Sequence, residues 1–155
     1  MGPDPKELDR SAPLVRPATL ADAYAVFALA DMLAISFPID RAGFDRAFPD
    51  VLDVPGTHLL VAEVDGRVGG YLLGFVHPSF YANRPVAWVE ELAVLPDDRR
   101  RGLGARLMRG FEDSARVDGA RLVALATTRA AAFYQAIGYE RRADYFRKTI
   151  INQEA

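Results

Sequence analysis

The stretch "THLLVAEVDGRVGGYLLGFVHP", residues 57–78, constrains this chain more than any other. Two runs rich in β-branched and aromatic residues flank Asp65-Gly66, the dipeptide that suits a two-residue turn with both backbone φ angles positive. The spacing predicts an antiparallel hairpin. A third run, "PVAWVEELAVL", follows the loop "PSFYANR" and adds a third antiparallel strand. From Leu103 the period changes: Leu103, Leu107, Phe111 and Ala115 step by four and describe one face of a helix, which Gly119 ends.

The remaining elements follow from the same periodicities. "LVRP" is a short strand, and Thr19 with Asp22 three residues on forms a capping box for a helix whose Val26, Leu29 and Leu33 face the core. "SFPIDRAGFDRAFPD" predicts a second short helix with Phe44 and Phe48 on one face and Pro49 as its stop. "ARLVALAT" predicts a buried strand, "RAAAFYQAIGY" a short helix ended by Gly138, and "DYFRKTI" a last strand by its alternation. The expected class is therefore α/β of the α+β kind: a mixed, mostly antiparallel twisted sheet of about six or seven strands flanked by about four helices. Residues 1–12, polar and proline-rich, are expected to be a disordered tail, with a single domain over 13–155.

Composition removes whole classes of chemistry. There is no cysteine, so disulfides, thiolate nucleophiles and thiolate metal sites are excluded. His58 and His77 have no ligand partner at metal spacing and are expected at strand ends, so no metal is expected. No apolar run approaches the length needed to cross a bilayer, and the start lacks a secretory pattern; a cytoplasmic protein without membrane attachment is the expectation. A formal charge of -2 and only two lysines, Lys6 and Lys148, disfavour nucleic acid as a partner.

Against that background "DDRRRGLGARLM", residues 97–108, stands out. Three arginines and two glycines open an apolar helix, although arginines repel one another and glycine is a poor helix former. A helix start presents unpaired N–H groups and a partial positive charge, which bind phosphate. Gly102 and Gly104 let a ligand oxygen approach the main chain without meeting a Cβ, and the arginines add charge at the same point. The alternative, glycines that only turn the chain and arginines that only solvate it, is equally open on these residues alone. Neither a Rossmann fingerprint nor a P-loop fits: the third glycine of GxGxxG is missing, and no Lys-Ser/Thr pair closes the loop.

Arg99-x-x-Gly102-x-Gly104 after the strand "VEELAV" resembles the (Gln/Arg)-x-x-Gly-x-(Gly/Ala) signature of the GNAT acyltransferase superfamily. "AAAFYQAIGYE" resembles that family's later alanine-rich helix with its tyrosine, and "LVRPATLADAYAV" its opening strand and helix, so the resemblance covers roughly residues 13–150. It implies a GNAT fold and acetyl-coenzyme A as cosubstrate, its pyrophosphate held by Arg99, Arg100, Arg101, Gly102, Leu103, Gly104 and Ala105. It further implies that the main chain of Leu92, Ala93 and Val94 pairs with the pantetheine arm like an added strand. Many members carry Asn where this chain has Thr127, which makes that position a poor cofactor contact.

Chemistry can then be assigned to side chains. Transfer to an amine needs a base, a polarised carbonyl and a proton for the leaving thiolate. Strict alternation would place Trp88, Glu90, Leu92 and Val94 on one side of the third antiparallel strand and Val89, Glu91 and Ala93 on the other. By resemblance Glu90 is the first candidate for the base and Glu91 the second, with Tyr134 the candidate acid; the structural alternatives are an edge ion pair, a solvated carboxylate and a core tyrosine. The acceptor is expected to be the primary amine of a small molecule; Asp40, Asp45, Asp50 and Asp53 with Phe80, Tyr81 and Trp88 suit a cationic amine by charge and cation–π attraction, although spaced aspartates on a surface helix are more often a plain solvated face. A protein N-terminus or lysine is the second possibility and a non-catalytic acyl-coenzyme A module the third. The last strand offers an edge for a homodimer.

Overall fold

A computed structural model describes residues 12–151. The chain separates into two compact units, one running to Leu125 and the other starting at Ala126. In the first, β1 (Leu14–Pro17) leads through a single 3-10 turn into α1 (Ala23–Leu33) and α2 (Arg41–Asp53). Next come β2 (Thr57–Val64), β3 (Arg67–His77) and β4 (Val86–Val94), then α3 (Leu103–Val117) and β5 (Val123–Leu125). The sheet order is β1-β2-β3-β4-β5, antiparallel except for the parallel β4–β5 pair. Asp65 and Gly66 both have positive φ, 52° and 76°, as the hairpin requires.

The sheet has two differently covered faces. α3 buries Leu103, Leu107, Met108, Phe111 and Ala115 against one face, the four-residue step read in the sequence plus Met108. On the other face Val26, Leu29 and Ala30 of α1 and Phe48 of α2 pack with Leu59, Val61, Tyr71 and Ala93. Gly74 of β3 lies where the Phe111 ring crosses the sheet; a Cβ there would stand 2.5 Å from two ring atoms. Gly74→Ala is therefore expected to displace Phe111 and to lower stability by about 2 kcal/mol, read as a melting temperature about 5 °C lower.

At the entrance to α1, Asp22 is buried but fully engaged. It accepts two bonds from the Arg16 guanidinium, at 2.8 and 2.9 Å, and one from the backbone N–H of Thr19 at 2.8 Å. The capping box expected from Thr19 and Asp22 is thus present, with an arginine neutralising its carboxylate. Arg16 and the Thr19 N–H hold the Asp22 carboxyl below its usual range despite burial.

Two expectations fail. Pro49 does not stop α2, which continues to Asp53. Proline forfeits one bond to the carbonyl four residues back, and the packing of Phe48, Val51 and Leu52 against the core outweighs that loss. The final strand read over residues 144–150 also does not form: those residues carry no regular structure and are exposed, so among the described residues the sheet has five strands rather than six or seven. Alternation makes a strand possible, but only a pairing edge makes it stable. The strand read over 120–127 shrinks to three residues for the same reason, pairing with β4 only from Ala87↔Val123 to Val89↔Leu125.

The second unit contains α4 (Ala131–Ala136), followed by Gly138 at φ 98°. Residues 1–11 of the expected tail lie outside the described residues. Among those described, no helix is long and apolar enough to cross a membrane.

Candidate active site

The phosphate-binding loop predicted at 99–105 is built in three steps. β4 ends at Val94, a 3-10 turn over Pro96–Asp98 reverses the chain, and α3 begins after Gly102. Gly102 is the residue preceding the helix and sits at φ 80°, ψ 13°, a left-handed conformation that side-chain-bearing residues rarely take. No side chain caps the helix, so the first-turn amides of Leu103, Gly104 and Ala105 keep their N–H groups free of a capping partner. A Cβ at Gly102 would meet no protein atom within 4 Å, so the space beside those amides is open. Arg100 also has positive φ, 66°.

Asp98 fixes this loop, and sequence reasoning did not single it out. It is 1% exposed and accepts from Arg67 at 2.6 and 2.9 Å and from Arg101 at 3.4 Å. Arg67 opens β3, so the bidentate bond ties the turn to the sheet. Gly69 provides the room: its Cβ would lie 2.6 Å from the Asp98 carboxylate. Arg67 above all, with Arg101, holds the Asp98 carboxyl below its usual range. The only forewarning was a doubled Asp97-Asp98 beside the arginine run.

The three arginines consequently differ. Arg101 is tied to Asp98 and to Asp65, the latter at 3.0 Å. Arg99 and Arg100 form no ion pair among the described residues and remain exposed next to the open helix end.

Along β4 the alternation breaks. Leu73 of β3 lies opposite Glu91, but Gly74 lies opposite Val89, so Glu90 is an extra residue in a β-bulge. The bulge places Glu91 on the face of Tyr71 and Ala93, and it leaves Glu90 bonded to Trp88, whose indole N–H donates to its carboxylate at 2.9 Å. The expected separation of Glu90 and Glu91 onto opposite sides is therefore not found. The buried Tyr71 hydroxyl donates to Glu91 at 2.8 Å. Burial raises the Glu91 carboxyl above its ordinary range, the Tyr71 bond opposes that, and the charge of Glu90 adds to it.

Beyond Val89, the edge of β4 away from β3 has no ladder to β5. Among the described residues Leu92, Ala93 and Val94 pair with Leu72, Tyr71 and Gly70 on one side only. An extended ligand can add to such an edge by main-chain hydrogen bonds.

Other predicted residues sit elsewhere. Asp40 caps α2, accepting from the N–H groups of Ala42 and Gly43 at 3.2 and 3.0 Å. Asp45 pairs with Arg41 at 3.0 Å on the surface of the same helix. Asp50 and Asp53 form no ion pair among the described residues. Phe80 and Tyr81 are fully and largely exposed. His58 and His77 lie at strand ends as expected, His58 bonded to Asp118 at 2.6 Å. In the second unit, Tyr134 stacks edge-on with Phe133 and Tyr139, and burial raises its phenol above the ordinary value. Thr127 accepts from the Ala130 N–H at 3.0 Å.

Comparison with known proteins bears on the family and the fold. The family profile described as "Acetyltransferase (GNAT) domain" matches residues 55–141. The aminoalkylphosphonate N-acetyltransferase of Salmonella typhimurium is 30% identical over 142 residues, covering 88% of this chain and 90% of the relative. The L-2,4-diaminobutyric acid acetyltransferase of Nocardia farcinica is 38% identical over 76 residues; the match covers 49% of this chain and spans only 36% of that relative's length. Among solved structures, glucosamine-6-phosphate N-acetyltransferase from Arabidopsis thaliana superposes with a TM-score of 0.79 at 19% identity, covering 90% of this chain and 99% of its own, a likeness of fold. The chain belongs to the GNAT family and is an N-acetyltransferase.

Proposed function

We propose that residues 13–155 form one catalytic domain that moves an acetyl group from acetyl-coenzyme A to the primary amine of a small molecule, by direct attack in a ternary complex. The observation that carries this reading is the uncapped start of α3, opened by Gly102, following directly on the half-paired edge of β4 with its two adjacent carboxylates. Free amides, an open approach and two unpaired arginines suit a pyrophosphate. In this reading the N–H groups of Leu103, Gly104 and Ala105 hold it, with Arg99 and Arg100 adding charge, while Arg101 holds the loop. The edge from Leu92 to Val94 takes the pantetheine arm and offers a backbone N–H to the thioester oxygen.

The bound cosubstrate supplies an acyl group activated as a thioester. A β4 carboxylate, Glu90 or Glu91, takes a proton from the acceptor ammonium; the freed nitrogen forms the C–N bond and sheds its remaining extra proton to water as the C–S bond breaks to release the thiolate. By the family resemblance Tyr134, whose phenol is raised by burial and so stays protonated at neutral pH, is the candidate donor of a proton to the departing sulfur. Two named relatives act on amines of small molecules, which favours such an acceptor here.

A panel of small amines and N-terminal peptides, assayed by released thiol, tests the reading. Acetyl-coenzyme-dependent thiol release with a small amine supports it, release only with peptides moves the acceptor to proteins, and no release at all overturns it. Tyr134→Phe is expected to lower kcat about 10- to 100-fold while leaving coenzyme affinity within about twofold, measured by steady-state kinetics and calorimetry.

A further inference from the structure

The proposed chemistry leaves two carboxylates for one proton transfer, and the bulge treats them differently. Glu91 is half-buried on the face of Tyr71, whose ring is 1% exposed and packed among Val26, Leu29 and Ala93. That packing fixes where the hydroxyl points, 2.8 Å from the Glu91 carboxylate. Glu90 is exposed and held by the Trp88 indole N–H at 2.9 Å. Among the described residues neither carboxylate pairs with an arginine or lysine, so nothing neutralises them before a cationic acceptor arrives.

We infer that the bulge divides the work: Glu91 takes the acceptor's proton, Tyr71 is its positioning residue, and Glu90 holds the acceptor ammonium beside the Trp88 ring. The inference rests on the acetyltransferase reading of this site. The proton leaves the acceptor nitrogen and ends on a Glu91 oxygen, directly or through one water, and the nitrogen lone pair so freed attacks the acyl carbon. Tyr71 loses no proton in this step. Burial and the Glu91 charge push its phenol far above the ordinary value, so it remains a donor throughout.

Tyr71 acts on Glu91 by stabilising the ionised form, and the other nearby influence is the like charge of Glu90. Of the elements packed against β4, α1 carries Tyr24 and Asp31, both solvent-exposed, and β5 carries no titratable group; α3, with Arg106, Arg109, Glu112, Asp113 and Arg116, covers the opposite face of the sheet, and β3 adds, besides Tyr71, only Arg67 and His77 at its two ends. Removing the Tyr71 hydroxyl alone should therefore raise the pH at which Glu91 ionises.

Tyr71→Phe keeps the buried ring and deletes only the donor. In this variant of the full chain, carboxyl 13C NMR should show the Glu91 titration midpoint moved upward by about 0.5 to 1 pH unit, the equivalent of one hydrogen bond. The acid limb of kcat/KM should move by the same amount, with coenzyme affinity unchanged. Glu91→Gln should remove that limb and cost at least about 100-fold in kcat, whereas Glu90→Gln should keep the limb and raise KM for the amine about tenfold. An NMR midpoint that moves while the rate limb stays in place would overturn the inference, as would a limb abolished by Glu90→Gln and retained in Glu91→Gln. If the parent enzyme acetylates no amine at all, the functional reading itself fails before any variant is compared.

Discussion

Valine at position 102 is expected to weaken coenzyme A binding by about 100-fold or more, close to 3 kcal/mol. Two independent costs act together. Gly102 sits at φ 80°, where a β-branched residue is strained, and its side chain would project into the open space beside the first-turn amides of α3. The strain alone would shift the loop, and the added methyls would occupy the ligand's approach. Alanine at the same position carries the first cost and little of the second, so its loss should be nearer tenfold. Because no protein atom lies within 4 Å of the new Cβ, the melting temperature should fall by only a few degrees in either variant. Calorimetric titration beside a thermal melt separates the two effects.

Asp98→Ala is expected to have the second largest effect, on stability and on the cosubstrate together. The buried carboxylate accepts charged bonds from Arg67 and Arg101 and ties the turn before α3 to the start of β3. Both arginine ends reach solvent and can rehydrate, so the loss falls at the lower end for a buried charged bond, about 2 kcal/mol. Losing it also frees Arg101 and loosens the loop, which should raise the Kd for coenzyme A several-fold. Acid provides a parallel measurement. The Asp98 and Asp22 carboxyls are held below their unfolded values, so their stabilisation is fully present above about pH 4 and is lost as pH falls through the lowered folded values. The Asp98→Ala variant should therefore lose less stability than the parent between pH 4 and pH 2. Equal losses in both proteins would show that Asp98 contributes nothing there.

Most of the frame was legible because its signals are local. The Asp65-Gly66 turn, the Leu103 to Ala115 stripe and the Thr19–Asp22 box each depend on a few neighbouring residues, and each appears as read. What failed depended on partners distant in sequence. Residues 144–150 alternate like a strand, but only a pairing edge decides whether one forms. Pro49 reads as a stop until the packing of Phe48 is known.

The candidate site divides along the same line. The glycines and arginines of 99–104 announce an anion site within one short stretch, whereas Tyr71 is separated from Glu91, and Arg67 from Asp98, by 20 and 31 residues. The bulge at Glu90 is a matter of cross-strand register, which no single strand can reveal by its own alternation. Arg101 is indistinguishable from Arg99 and Arg100 in sequence and differs only because Asp65 and Asp98 come within reach of it.

A crystal structure with coenzyme A tests the central claim most directly. Diphosphate oxygens within hydrogen-bond distance of the Leu103, Gly104 and Ala105 amides, with the pantetheine arm paired along Leu92 to Val94, is the result this account predicts. A coenzyme bound elsewhere, with those amides facing water, would contradict it.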